Sequence, residues 1–238
     1  MIPLPDVNEI HVWLAELPRL EAQHEELQAV LSAEERASAN RMLRVSQQRQ
    51  YTLCRGVLRM LLAAYTGQRP EAVEFAYGPW GKPLAAGQLA EAHLEFNLAH
   101  SGELAVYAVT QGRRVGVDVE CAREVPEAEQ IVARHFAAEE CTAWQQLAAE
   151  ERLAAFFRVW TRREAFAKAT GQGLGQGWSE FAVAVEASAA RLLHIAGDAA
   201  AAAGWTLCDL DLPPPYHGAV AAEGRDLAVR LRAWDAGI

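Results

Sequence analysis

The 238-residue chain holds four cysteines. Cys54, Cys121, Cys141 and Cys208 lie far apart, with no Cys-x-x-Cys pair and no histidine at zinc-ligand spacing. A disulfide scaffold and a structural zinc site are set aside, and the four read as reduced, buried thiols of a cytoplasmic protein. The opening Met1-Ile2-Pro3-Leu4-Pro5-Asp6 lacks a basic stretch followed by an apolar core, so no signal peptide is expected. No apolar run reaches membrane-spanning length, so no membrane role is expected. Positive charge is also short. A formal net charge of −9 argues against nucleic acid as a partner. An acidic ligand would have to meet a local basic patch. No internal repeat is visible.

Hydrophobic residues make up 51% of the chain, enough to core one large domain or two small ones. Alternation predicts a strand at 9–17, with Ile10, Val12 and Leu14 on one face and His11, Trp13 and Ala15 on the other. Helical spacing marks 20–31 and 47–65, the second closed by Gly67. Between them Ser32-Ala33-Glu34-Glu35 is a capping box that opens a further helix. A strand at 73–77 and a turn at 78–83 follow. Residues 94–98, 103–110 and 113–120 read as three strands, with tight hairpin turns at Ser101-Gly102 and Gln111-Gly112. The middle strand is apolar on both faces, as a helix-covered sheet requires. A loop at 121–126 leads to helices at 127–135, 138–149 and 151–170. Short strands follow at 181–185, 192–195, 205–210, 216–222 and 227–234. The alanine-rich 199–203 reads as a loop insertion, and Pro213-Pro214-Pro215 as a stiff connector. The glycine-rich run from Gly171 to Gly177 follows a helix instead of linking a strand to a helix start. It therefore reads as a helix stop and flexible turn, not a phosphate loop. Strands and helices mix without regular βαβ alternation, so the class is α+β.

Two stretches carry chemistry. In Val115-Gly116-Val117-Asp118-Val119-Glu120 small and β-branched residues alternate with acids, the pattern of a buried strand. The two-residue period of a strand puts Asp118 and Glu120 on one face, where adjacent carboxylates repel unless a cation sits between them. Oxygen-only ligands suit a hard ion such as Mg²⁺. The same pattern also describes an edge strand with a solvated acidic face. Residues 156–171 have helical periodicity, with Phe156, Phe157, Trp160, Phe166 and Ala169 roughly on one side. Glu164 and Lys168 are four apart and share a face. They form an ordinary surface ion pair, or else a third carboxylate for the metal with a lysine facing phosphates.

Together the two stretches resemble the 4′-phosphopantetheinyl transferases of the Sfp-like type. That family has a Gly-hydrophobic-Asp-x-Glu strand followed, some forty residues on, by Trp-x-x-Lys-Glu-Ala-x-x-Lys. Here these are Gly116 to Glu120 and Trp160 to Lys168, with Arg163 in place of the usual lysine. Trp80-Gly81-Lys82-Pro83 resembles the family's Gly-Lys-Pro turn. Phe96-Asn97-Leu98-Ala99-His100-Ser101 resembles its Phe-Asn-x-Ser-His-Ser strand end, with Ala99 in place of a serine. The resemblance runs from about residue 31 to 175.

The resemblance implies two similar α/β halves related by a pseudo-twofold axis, each a small, mainly antiparallel sheet packed with helices, with the cofactor between them. A boundary at Gln111-Gly112 divides the chain into 1–111 and 112–238. The implied activity is transfer of 4′-phosphopantetheine from coenzyme A to a serine of an apo acyl or peptidyl carrier protein, by a monomer. Asp118, Glu120 and Glu164 are then the Mg²⁺ ligands, and Glu164 the base. Lys168 neutralises the pyrophosphate, with Arg163 nearby on the same helix as the lesser choice. Lys82, held out by its glycine turn, and His100 contact coenzyme A. Arg36, followed by Arg41 and then Arg44, meets its 3′-phosphate. Arg123 and segment 121–136 dock the carrier. The alternatives are another Mg²⁺-dependent enzyme, such as a phosphodiesterase, and a degenerate member that binds without transfer, to which Arg163 and Ala99 point.

Overall fold

The computed structural model describes residues 1–78, 81–171 and 180–234. In chain order the elements are β1 (Glu9–Glu16), α1 (His24–Ala29), α2 (Ala33–Asn40), α3 (Val45–Thr66), β2 (Phe75–Tyr77), β3 (Pro83–Ala85), α4 (Gln88–Glu91), β4 (Leu94–Ser101) and β5 (Leu104–Gln111). Then come β6 (Val115–Cys121), α5 (Ala128–His135), α6 (Ala138–Gln145), α7 (Ala149–Thr170), β7 (Phe181–Val183), β8 (Leu192–Ile195), α8 (Ala199–Ala202), β9 (Trp205–Asp209), β10 (Tyr216–Glu223) and β11 (Ala228–Ala233). The α+β class is as the sequence implies. No helix among the described residues is long and apolar enough to cross a membrane.

Two sheets and two long helices carry the architecture. The first sheet runs β11-β1-β5-β4 and the second β6-β10-β9. The helices α3 and α7 are 22 residues each, and each ends at a left-handed glycine, Gly67 at φ 70° and Gly171 at φ 74°. Both stops were legible, since glycine reaches that region without a Cβ penalty. Leu53, Val57, Leu58, Leu61 and Leu62 of α3 pack on Trp13, Ala15, Phe96, Tyr107 and Val109 of the first sheet. Phe156, Phe157, Val159, Phe166 and Ala169 of α7 pack on Ala219 and Ala221 of the second. A third core joins the sheets, with Ile10, Val12, Val106 and Ala108 meeting Val115, Val117, Val119 and Val220. Each such fully buried Val, Leu, Ile or Phe side chain contributes about 1.5–3 kcal/mol of transfer free energy.

The Ser32 capping box forms as its spacing predicts. The Ser32 hydroxyl accepts from Glu35 N (3.1 Å) and Glu35 Oε2 from Ser32 N (2.9 Å). Four expectations need correction. Residues 20–31 are not one helix: a 3-10 segment, Leu17–Gln23, precedes α1. The strand at 73–77 shortens to β2, since 70–72 form a 3-10 turn. Alanines 199–202 are a short helix, since Asp198 accepts from Ala200 N and Ala201 N and alanine has the highest helix propensity. The turn at Ser101-Gly102 does join a hairpin, β4 to β5, but Gln111-Gly112 does not. There the chain leaves the first sheet, and β6 pairs antiparallel with β10, Asp118 opposite Ala219 and Glu120 opposite His217. A division at 111/112 therefore falls where the second sheet starts, yet it leaves β11 in the first sheet, parallel to β1.

That departure makes β6 an edge strand. Its outward backbone groups, at 115, 117 and 121, meet side chains in place of another ladder. Asn97 Oδ1 accepts from Val117 N (2.9 Å) and Ser101 Oγ from Cys121 N (3.0 Å). The ammoniums of Lys82 and Lys168 lie against Val115 O (3.5 Å) and Val117 O (3.3 Å). An edge whose polar groups are occupied in this way is closed to further pairing.

Candidate functional site

The face of β6 turned to α7 carries Gly116, Asp118 and Glu120. Gly116 lets the helix come close, since a Cβ there would stand 2.1 Å from Ala165 O and 2.4 Å from Ala169 N. This approach seats Asp118 beside the last turns of α7. Asp118 is buried, and its Oδ1 pairs with Lys168 Nζ at 2.6 Å. Glu164, one helical turn before Lys168, is buried on the same face. Asp118 Oδ2 and Glu164 Oε1 are both buried without a hydrogen-bond partner. Burial raises Asp118 to a pKa of about 6, with Lys168 opposing and Glu120 adding to the rise. Burial also raises Glu164 to about 7, helped by the charges of Asp118 and Glu120. The three acids thus share one electrostatic neighbourhood.

Glu120 lies at the outer end of this row. Its Oε2 accepts from Ser101 Oγ (3.0 Å) and lies 3.6 Å from the Arg123 guanidinium. Among the described residues no three His, Cys, Asp or Glu side chains are gathered tightly enough to form a ready-made metal cage. The chemistry of the donor set nonetheless fits a hard divalent ion. It offers two orphaned buried carboxylate oxygens and a third acid within electrostatic reach, all oxygen ligands.

The lysines sit differently from expectation. Lys168 faces the cluster, but its ammonium rests on Asp118 Oδ1 and Val117 O, not on open space. Lys82 is not held out to solvent. Its Nζ donates to the Lys168 carbonyl (2.7 Å) in the last turn of α7, where a cation suits the helix dipole. Burial lowers its pKa, with Lys168 reinforcing and Glu95 opposing. The neighbouring Trp80, part of the same predicted turn, lies outside the described residues, as do residues 172–177 of the glycine-rich run. His100, at the end of β4, is within electrostatic reach of both Lys168 and Glu120. Its basicity is lowered by its crowded surroundings first and by Lys168 second.

Arg163 is absent from the site. It is fully buried on another side of α7, with Nη1 2.7 Å from both Glu140 oxygens and 3.1 Å from Phe181 O, and its guanidinium over the Phe181 ring. Adjacent helix positions diverge by about 100°, so the residue next to Glu164 cannot share its direction. Arg36 and Arg41 are bonded locally, to Ala29 O (3.4 Å) and Ser38 Oγ (3.0 Å), and Arg44 is the N-cap residue of α3. None of these three contacts Asp118, Glu120, Glu164 or Lys168 among the described residues. Two buried arginines of α3 went unread in the sequence. Arg59 holds Glu35 Oε2 at 2.6 Å, whereas Arg55 reaches Glu35 only at 3.8 Å and has a buried Nη1 without a partner, amid the rings of Tyr51, Phe75 and Tyr77. One signal was available for the lysines: they are the only two in a chain with 22 Lys and Arg together, and both are at this cluster.

A relative from Nostoc, the 4′-phosphopantetheinyl transferase HetI, is 39% identical over 169 residues, covering 71% of this chain and 71% of its own. The chain belongs to the 4′-phosphopantetheinyl transferase family. The family model described as the 4′-phosphopantetheinyl transferase superfamily matches residues 114–221, and one described as 4′-phosphopantetheinyl transferase, N-terminal, matches 18–112. A putative 4′-phosphopantetheinyl transferase of Synechocystis is 34% identical over 64% of this chain and 62% of that one. The 4′-phosphopantetheinyl transferase psf-1 of Bacillus pumilus is 34% identical over 67% and 66%. The alignments span 62% to 71% of these relatives' own length. In this 4′-phosphopantetheinyl transferase the acid cluster falls within the superfamily match, and Lys82 and His100 within the N-terminal one.

Proposed function

We propose that the chain transfers the 4′-phosphopantetheine group of coenzyme A to a serine of an apo carrier protein, acyl or peptidyl, and releases adenosine 3′,5′-bisphosphate. The observation that carries this is the pair of buried, unpartnered carboxylate oxygens, Asp118 Oδ2 and Glu164 Oε1, beside Lys168. Asp118, Glu120 and Glu164 would hold Mg²⁺, which when bound supplies charge neutralisation for phosphoryl transfer. Glu164, buried on the face of α7 that carries Lys168, is the base that takes the proton of the serine hydroxyl. Lys168 is 29% exposed and already at the cluster. An entering pyrophosphate offers its ammonium a second anionic partner. His100 stands at the edge of the same charge field and contacts a phosphate of coenzyme A, and Lys82 braces the helix end that carries Lys168.

The 3′-phosphate of coenzyme A takes the exposed Arg36 of α2, with the exposed Arg41 next. Segment 121–136, with the exposed Arg123, receives the acidic carrier. The two halves, 1–111 and 112–238, act together in one cytoplasmic monomer. Of the two departures that pointed to a degenerate binder, Arg163 makes its hydrogen bonds inside the fold, to Glu140 and Phe181 O.

The test is direct. The protein is incubated with coenzyme A, Mg²⁺ and an apo carrier protein, and the carrier is weighed by mass spectrometry. A gain of one phosphopantetheine is expected, absent with EDTA and in Asp118→Ala. Coenzyme A binding without mass gain would replace transfer with binding alone. Coenzyme A cleavage without a carrier would make the chain a phosphodiesterase.

A further inference from the structure

We propose that Ser101 is a positioning residue: its hydroxyl, carried by the first sheet, fixes the carboxylate of Glu120, carried by the second, and so sets the metal affinity of the site. The proposal rests on the assignment of Glu120 as a metal ligand. Its basis is a hydrogen-bond inventory. Cys121 N can only donate, and it donates to Ser101 Oγ at 3.0 Å. The hydroxyl's one hydrogen is therefore free for Glu120 Oε2, which lies 3.0 Å away. Oε2 is also the oxygen nearest Arg123, at 3.6 Å. With Oε2 committed in this way, Oε1 is the oxygen that Glu120 presents to a cation.

The hydroxyl can act as a fixed point because the turn that bears it is held from several directions. Gln50 Nε2 donates to Gly102 O (2.9 Å), Glu103 N donates to Tyr216 Oη (3.0 Å), and Leu17 N donates to Glu103 O (2.8 Å). Gly102 itself sits at φ 56°, and a Cβ there would come within 3.0 Å of Tyr216 Oη. Tyr216 belongs to β10, opposite Cys121. The turn is therefore held to the second sheet immediately after Ser101, through Tyr216. Asn97 makes the matching bond four residues earlier, to Val117 N, so the two β4 side chains form a seam along β6 in which Ser101 also grips an acid.

Partners that orient a metal-ligating carboxylate typically set affinity or activity by about 10- to 100-fold. Mn²⁺, another hard cation, is titrated into the protein without coenzyme A and followed by electron paramagnetic resonance. Ser101→Ala is expected to weaken Mn²⁺ binding by about 10- to 100-fold, and Ser101→Thr, which keeps the hydroxyl, to restore it. In a Glu120→Ala background Ser101→Ala is expected to add nothing. Should Ser101→Ala fail to fold, Ser101→Cys takes its place, with intermediate affinity expected from a weak thiol donor. Unchanged affinity in Ser101→Ala, or an equal loss with and without Glu120, overturns the role of Ser101 alone. Absence of Mn²⁺ binding by the unaltered protein overturns the metal site as well.

Discussion

Substituting Gly116 with alanine tests the geometry on which the site depends. The added methyl would lie 2.1 Å from Ala165 O, 2.4 Å from Ala169 N and 2.9 Å from Lys168 C, all backbone atoms of one helix. No flexible side-chain end is available to give way, so β6 and α7 must part. Ordinary contact begins at 3.4 Å, which requires an opening of about 1.3 Å. Overpacking of this kind costs about 1–3 kcal/mol of stability. The larger effect falls on chemistry. Asp118 is two residues along the same strand face, and its 2.6 Å bond to Lys168 crosses the interface being opened. A displacement of about 1 Å between reacting groups can lower a rate about 100-fold. Gly116→Ala should therefore fold, with a lower urea midpoint, and modify an apo carrier about 100-fold more slowly per folded molecule. A rate within a few-fold of the parent would refute the claim that close strand–helix approach sets the acid cluster.

Three further outcomes are expected. Glu164 has its pKa raised from 4.5 to about 7 in the folded chain, so the folded form binds the extra proton. This group's contribution to metal-free stability is then full below about pH 4.5 and is lost as pH rises through about 7, amounting to on the order of 3 kcal/mol. Glu164→Gln should flatten that slope in urea titrations with EDTA and be more stable than the parent at pH 8; an unchanged slope would assign it elsewhere. Arg163→Ala should cost about 3–5 kcal/mol, because it strands the buried Glu140 carboxylate, whereas Arg163→Lys should cost less and leave the transfer rate per folded molecule unchanged. A rate loss in Arg163→Lys without loss of stability would return that position to the site. Isotopic methylation of the two lysines should give two side-chain signals, with one, removed by Lys82→Arg, titrating below the ordinary 10.5; two signals at ordinary values would contradict the placement of Lys82.

Much of this was readable before any coordinates, for identifiable reasons. Local signals held. The Ser32 box, the glycine stops of α3 and α7 and the period of β1 depend on neighbours within a few residues. Asp118 with Glu120, and Glu164 with Lys168, followed from the two-residue and four-residue rules. Arg163 was drawn into the site by the motif, and its partner Glu140 lies 23 positions away. What failed was partnership at long range. Alternation in residues 113–120 fixes the two faces of the strand but not what pairs along its edges, so nothing there named β10 as its neighbour. The direction of Lys82 was hidden too, because the carbonyl it meets belongs to a residue 86 positions away.

The return of β11 to β1 ties the two ends of the described chain into one sheet, with Glu9 beside Ala228 and Leu14 beside Ala233. During synthesis the first sheet cannot be completed until residue 233 has left the ribosome. Until then the β1 edge waits, with its hydrogen-bonding groups unclaimed. Expressing the first half alone would leave that edge open, so fragments cut at the sheet boundary should complete the sheet only when the second supplies the missing border.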